Sequence, residues 1–398
     1  MRPLVPELRF PEFKGPWKPA RAGDAFRNSK AKGEAGLPIY SVTQDRGLVR
    51  RNSLERHMGA DAADETNLRA QPGDLVYNMM RMWQGAVGMA SEECMVSPAY
   101  VVLSPKKGVS SKFFDYWFQN RHMLHQLWAY SHGMTSDRLR LYYQDFAKIP
   151  LALPDQPEQE KIAVLLDASS RKITLLTDKK AALEDYKRGL MQRLFSRELR
   201  FTRDDGSAFP DWEERKLGEI ATFFKGKGIS KSDIVEGGAL PCIRYGEIYT
   251  HYRERITEVI SFTDDDPASL FLSEIGDVII PASGEDRMDM ARACCVAIAG
   301  VALGGDINVL RSPVNGSFLA YYLNNARRRE IANLGQGISV VHLYPSQLKT
   351  LWVELPHPDE QQKISSALSA VDGKIDALSQ KISEMEAFKK GLLQKLFV

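Results

Sequence analysis

Cysteine is scarce in this chain: Cys94, Cys242, Cys294 and Cys295 are the four in 398 residues. None forms a CxxC pair, and no paired His/Cys spacing suits zinc. A disulfide framework and a structural zinc site are therefore excluded, and the thiols read as reduced side chains of a cytoplasmic protein. Long apolar runs are missing too. The opening stretch MRPLVPELRFPEF has no apolar segment of the kind a signal peptide needs. The run ACCVAIAGVAL (Ala293–Leu303) is too short to cross a bilayer, so no membrane association is expected. It reads as a buried strand with a turn at Gly304–Gly305. Excess charge of one sign is also absent: 53 Lys and Arg face 51 Asp and Glu, a net charge of +2. A polyanionic partner would have to be held by local basic patches. Catalytic signatures are lacking as well. FKGKGISKS (Phe224–Ser232) does not have phosphate-loop spacing, and no NPPY-like, DPPY-like or HExxH motif occurs. The acids of GDVIIPASGED (Gly276–Asp286) are not followed by an ordered nuclease lysine, and Asp277 reads as a residue of a strand-entry turn. The chain reads as non-catalytic, without a metal or cofactor of its own.

What is present is a repeat. PDQPEQEKIAVLLDASSRKITLLTDKKAALEDYKRGLMQRLF (Pro154–Phe195) aligns without a gap to Pro356–Phe397 at an offset of 202, with 18 identities in 42 positions. Chance would give roughly two or three, so the segment is duplicated. QPGDLVYN (Gln71–Asn78) resembles EIGDVIIP (Glu274–Pro281), and Ser131–Pro154 resembles Asn333–Pro356. ELRF occurs at Glu7–Phe10 and again at Glu198–Phe201. The second copy follows Phe195, whereas after Phe397 only Val398 remains. The repeat is therefore cyclic, and it predicts that the two ends of the chain meet.

Both copies carry a heptad seam. The first places Ile162, Leu166, Ile173, Leu176, Leu183 and Leu190 on one stripe, interrupted by Ser169, Lys180 and Lys187. The second places Ile364, Leu368, Val371, Ile375, Leu378, Ile382, Met385 and Leu392 there, with Lys389 as the interruption. Prolines and acids precede each helix and basic residues gather at its end, as helix starts, stops and dipoles favour. Each helix of about 38 residues would run roughly 57 Å. The sister stripe is its natural cover, which gives an antiparallel two-helix coiled coil. The rest reads as mixed α/β (α+β): strands such as LPIYSV, DLVYNM, AYVVL, VIIPAS and KIPLALP, with helices near Phe113–Tyr130 and Phe318–Asn333. The expected layout is two pseudo-two-fold-related globular domains, 1–153 and 198–355, separated by the coil segments 154–197 and 356–398.

The phrases LRFPEF, IPLALPDQPEQEKI, VELPHPDEQQKI, KRGLMQRLF, KKGLLQKLF, RYGEIY and PASGED, in this cyclic order, resemble the specificity subunits of type I restriction–modification enzymes along nearly the whole chain. The resemblance implies two target-recognition domains, each reading half of a bipartite double-stranded DNA target. The coil would act as the ruler between the half-sites, so that four residues inserted in one helix would alter the spacer and leave the half-sites unchanged. It implies two adenine-methyltransferase subunits as partners and two restriction subunits that translocate and cut DNA. S-adenosylmethionine, ATP and Mg would serve those partners. A coiled-coil interaction scaffold without sequence-specific DNA binding is the alternative.

Phosphate contacts come from Lys and Arg, whereas base edges are read by Arg, Lys, Asn, Gln, Ser and Thr in the major groove. On that chemistry the candidates in the first domain are Lys30, Lys32, Gln44, Arg46, Arg50, Arg51, Arg56, Arg81, Gln84, Thr135, Ser136, Arg138 and Arg140. In the second they are Lys225, Lys227, Lys231, Arg244, Tyr245, Tyr249, Arg253, Arg287, Gln336, Ser339 and His342.

Overall fold

The computed structural model describes residues 4–54, 66–135, 138–337 and 340–398. It divides into two compact units, Met1–Thr177 with Gln380–Val398, and Asp178–Ser379. Each unit thus holds one globular domain, the near half of one long helix and the far half of the other. The helices span Gln156–Phe195 and Pro358–Lys395.

In the first unit, an antiparallel sheet takes the order Phe26–Ser29, Tyr100–Pro105, Leu75–Asn78, Val87–Met89. A second sheet orders Leu48–Arg50, Ile39–Val42, Cys94–Val96 and Leu68–Ala70, with the middle pair parallel. The strands are rich in β-branched and aromatic residues, which suit a pleated, half-buried surface. The helices Ser111–Trp117 and Arg121–Ala129 begin at side-chain caps: Ser110 Oγ accepts from the Phe113 amide, and Asn120 Oδ1 from those of His122 and Met123. Asn120 also donates through Nδ2 to the Leu393 carbonyl, which ties this cap to the end of the second long helix. The core is aromatic. Trp17, Phe26, Phe113, Phe114, Trp117 and Phe146 pack together, and Phe397 stacks on Trp117 at 5.8 Å. Ile162 and Leu166 from the start of one long helix join Leu392 and Leu396 from the end of the other in this core. The helix segments are therefore antiparallel within the unit.

The second unit repeats the plan. Its main sheet runs Thr222–Lys225, Ile307–Arg311, Val278–Pro281, Cys294–Val296, Arg255–Ile256, and a smaller one runs Ser261–Thr263, Leu240–Ile243, Ala302–Leu303. Leu190, Leu194 and Phe195 meet Ile364 and Leu368 against Phe318 and Tyr322. Every residue expected on the seam is buried or half-buried. The apolar run at Ala293–Leu303 differs from its reading as one strand. It forms two, Cys294–Val296 and Ala302–Leu303, because the chain turns between them with Gly300 at φ +77°.

The cyclic junction recurs bond for bond. In the first unit the Leu8 amide donates to the Lys395 carbonyl at 2.8 Å, and in the second the Leu199 amide donates to that of Arg193 at 3.0 Å. The next residue repeats as well. Arg9 clasps Glu158 at 2.7 and 2.8 Å, and Arg200 clasps Glu360 at 3.1 and 2.8 Å, each acid almost fully buried in the first helical turn. A buried carboxylate needs such a fork-shaped partner. That requirement explains why ELRF stands beside both helix starts.

Candidate nucleic-acid interface

Each domain builds an exposed rim from one loop after a central strand and one hairpin before the closing strand. In the first domain, the loop leaves Leu75–Asn78 and is set by local bonds. Asn78 Oδ1 accepts from the Met80 amide, Trp83 Nε1 donates to the Met80 carbonyl, and Arg81 donates to Gln84 Oε1 at 3.1 Å. Gln44, on the turn between two strands, donates to the Gln84 carbonyl at 3.1 Å. The hairpin closes where His132 and Arg140 exchange both backbone hydrogen bonds at 2.9 Å. Its base is stitched to the loop by the Leu141 amide, which donates to the Met79 carbonyl at 2.9 Å. A side chain at Gly133 would come within 2.5 Å of the Arg138 carbonyl, so the hairpin closes this tightly only with glycine there. Gln44, Arg81, Gln84, Thr135, Arg138 and Arg140 are thereby placed on one loop cluster, with Arg46 exposed on the same turn as Gln44.

The second domain does the same with other residues. Gln336 and His342 exchange backbone bonds at 2.9 and 2.7 Å, and the Leu343 amide donates to the Ala282 carbonyl at 2.9 Å. Ser283 pairs with His342 across a short ladder, and Arg287 reaches the Gly337 carbonyl at 3.3 Å. Beside this rim lies a cleft of about 930 Å³ lined by Lys231, Tyr245, His251 and the glycines 228, 246, 304 and 305. Tyr245 also borders a hollow of about 300 Å³ with Tyr249, Ser283 and Val340, which makes cleft and hairpin neighbours. Lys225 and Lys227 are exposed on the strand and loop leading into the cleft.

Three sequence candidates are held in ion pairs. Arg244 lies flat against Glu247, 3.0 and 2.8 Å away, and Glu247 also takes the Ser261 hydroxyl at 2.7 Å. Arg253 pairs with Asp376 at 2.9 Å and Asp372 at 3.7 Å, on the second long helix. Arg50 is held by Glu92 at 2.6 Å and by the Tyr40 hydroxyl. Each guanidinium is paired with an acid of its own unit, and Arg244, held by Glu247, forms part of the wall of the 930 Å³ cleft. Lys30 and Lys32 lie on the segment that bridges to Leu68, and Arg51 sits in the single turn after Arg50. Arg56, Ser136 and Ser339 fall outside the described residues.

The sequence reading missed the acids of the second rim. Glu285, Asp286 and Asp289 line the smaller hollow with Tyr249. Burial, the neighbouring Tyr245 and the carboxylates of Asp289 and Glu285 raise the Tyr249 hydroxyl above the ordinary tyrosine range, so it stays a donor. Carboxylates accept from the cytosine amino group and repel phosphate, which suits base reading and not backbone binding. The phrase PASGED carried Glu285 and Asp286 in plain view, with Asp289 three residues beyond it, but only the fold sets them beside the hairpin. Trp128, about half exposed on Arg121–Ala129, and Met134, almost wholly exposed at the first hairpin, were missed too. Nothing in their periodicity marks them. Among the described residues, no group of three or more His, Cys, Asp or Glu could hold a metal, and no helix is long and apolar enough to cross a membrane.

The chain belongs to the type I restriction modification DNA specificity domain family, whose model matches residues 19–185 and again 210–387. The type I restriction enzyme MjaVIII specificity subunit of Methanocaldococcus jannaschii is 22% identical over 265 residues, covering 63% of this chain and 62% of the relative. The putative type I restriction enzyme MjaX specificity subunit of the same organism is 26% identical over 264 residues, covering 63% and 58%. The chain thus spans about three fifths of the length of these curated relatives. The crystal structure of a type I restriction–modification S subunit from M. genitalium superposes with a TM-score of 0.63 over 99% of both chains at 15% identity. A structure from work on assembly and conformational transition of the type I R-M system gives 0.55 at 16% identity, over 97% of this chain and 99% of the other. These two likenesses establish the fold.

Proposed function

We propose that this chain is the DNA-specificity subunit of a type I restriction–modification enzyme and reads a bipartite double-stranded target, one half-site per domain. The observation that carries this reading is the duplicated rim: the same loop-and-hairpin frame holds Gln, Arg and Thr in one domain and Gln, Arg, His and acids in the other. A conserved frame with exchanged side chains is what two different half-sites require. The chain contributes recognition. Adenine methylation with S-adenosylmethionine, and ATP- and Mg-dependent translocation and cutting, belong to partner subunits, two of each kind. Action on intracellular DNA assigns it to the cytoplasm. Tyr186 and Phe388, which occupy equivalent places on the two helices and are 58% and 53% exposed, are offered as aromatic contacts for the paired methyltransferases.

The test is duplex binding by the chain assembled with its methyltransferase subunits. Sequence-selective binding that weakens steeply as salt rises is expected, because phosphate contacts release counterions. Binding that ignores sequence at every salt concentration would favour a scaffold.

A further inference from the structure

The reading hairpins are anchored by a device that differs between the domains. Leu141 and Leu343 stand at equivalent positions, at the base of the first and second hairpin, and both are buried. Their amides are satisfied by the loop carbonyls of Met79 and Ala282. Their own carbonyls therefore point where water cannot serve them, and each needs an internal donor. In the first domain the donor is the Tyr77 hydroxyl, 3.1 Å from the Leu141 carbonyl. In the second, the residue in the place of Tyr77 is Ile280, which has nothing to donate. There the Asn308 side-chain amide supplies the bond, 2.9 Å from the Leu343 carbonyl.

The two donors come from one cross-strand pair. Tyr77 lies opposite Val101, and Ile280 lies opposite Asn308. Donor and apolar residue have changed sides of the ladder while the bonded carbonyl has stayed in place. Both donors are fully buried, and neither takes part in the rim itself. The exchange argues that the bond, and not the identity of its donor, is what each domain preserves.

We propose that Tyr77 and Asn308 are positioning residues, each fixing the hairpin of its own domain so that its side chains meet base edges in register. The proposal rests on the hairpins being readers. Without the donor, the buried carbonyl rotates to find another, and the stitched base of the hairpin shifts with it. A shift of an ångström is enough to spoil paired hydrogen bonds to a base.

The experiment uses the full chain assembled with its methyltransferase subunits and duplexes altered in one half-site at a time, the parent target having been mapped from its methylated sites. Tyr77→Phe keeps shape and removes the donor. It is expected to cut discrimination at the first domain's half-site by about ten-fold and to leave the other unchanged. Asn308→Val should do the reverse. The double variant Ile280→Tyr with Asn308→Val transplants the first domain's arrangement into the second and should recover discrimination there. A general loss of folding would move both half-sites together and would not be recovered by the double variant. Equal effects on both half-sites, or thermal destabilisation with discrimination intact, would overturn the proposal. Arg138→Ala and His342→Ala in the hairpins test the reading beneath it. If these leave discrimination intact, the hairpins are not the readers. If they impair it while Tyr77→Phe and Asn308→Val do not, the anchoring role alone fails.

Discussion

Lys187 and Lys389 fill the same slot in the two copies of the repeat, each interrupting an apolar seam, yet they meet different company. In the second unit, Lys187 lies between Glu254 and Asp372, 2.8 Å from each, with its ammonium 5.1 Å from the centre of the Tyr321 ring. Tyr321 donates to Asp372, and Arg253 joins from the far side. In the first unit, Lys389 sits 5.5 Å from the centre of the Tyr116 ring, and Ser170 stands where the second unit has Asp372. The nearby acid is Asp115, whose pKa burial raises to about 6 although the Lys389 and Lys112 ammoniums pull it down. Burial likewise lowers the Lys389 pKa. The aromatic shelf under the lysine is common to both copies, whereas the charge balance is not. Duplication kept the packing that joins domain to helix and let the polar partners diverge.

The largest test of this comparison concerns the buried clasps at the helix starts. Arg200→Ala strands Glu360 and should cost about 3–5 kcal/mol in urea unfolding. Arg9→Ala should cost less, because Glu158 still accepts from Trp17 Nε1 at 3.2 Å. The equivalent Trp212 Nε1 has no hydrogen-bond partner among the described residues. Equal losses would mean that the tryptophan bond contributes nothing.

The seam lysines come next. Lys187→Met leaves Glu254 without its lysine and Asp372 with only Tyr321 and Arg253, and should cost about 2–3 kcal/mol. Lys389→Met removes a poorly solvated charge above a ring, and should be neutral or slightly stabilising. The reverse order would break the comparison.

The smallest expected effect is on pH dependence, and its sign differs between the units. The raised pKa of Asp115 means that the folded first unit favours the protonated acid. Its contribution is fully present below the unfolded value near 4 and is lost as pH rises through about 6. For Glu254, burial acts to raise the pKa, but the Lys187 charge and hydrogen bond outweigh it and the net shift is downward. Its contribution is present above the ordinary glutamate range and is lost as pH falls through the depressed value. Asp115→Asn should therefore remove a gain on acidification, and Glu254→Gln should remove a loss. The Asp115→Asn effect should amount to roughly 1–2 kcal/mol in melts between pH 4 and 7, whereas the loss that Glu254→Gln removes should appear in melts below the ordinary glutamate range.

How much of this was legible beforehand follows from the range of the forces. The seam from Ile364 to Ile375 depends on spacing within one helix, and so does the interruption at Lys389, so both can be read from the chain alone. The cyclic junction was legible because ELRF is repeated. The fates of Arg244 and Arg253 were not equally open. Arg244 finds its acid three residues away at a helix start, a local pattern that could have been recognised. The acids of Arg253 lie more than a hundred residues along the chain, and only the fold brings them within reach. The rim residues divide the same way. Basic and amide side chains marked the loops, but the loop-to-hairpin stitch at Leu141 and Leu343 depends on backbone carbonyls, which leave no trace in residue type.

One measurement bears most directly on the claim that each domain reads its own half-site. The loop and hairpin of the second domain, from Ser283 to Arg287 and from Gln336 to His342, are replaced by those of a relative with a different target. Methylated sites are then sequenced for the parent and exchanged assemblies. One half of the motif should change while the other half and the gap stay the same. A motif that changes in both halves, or in neither, would contradict the account.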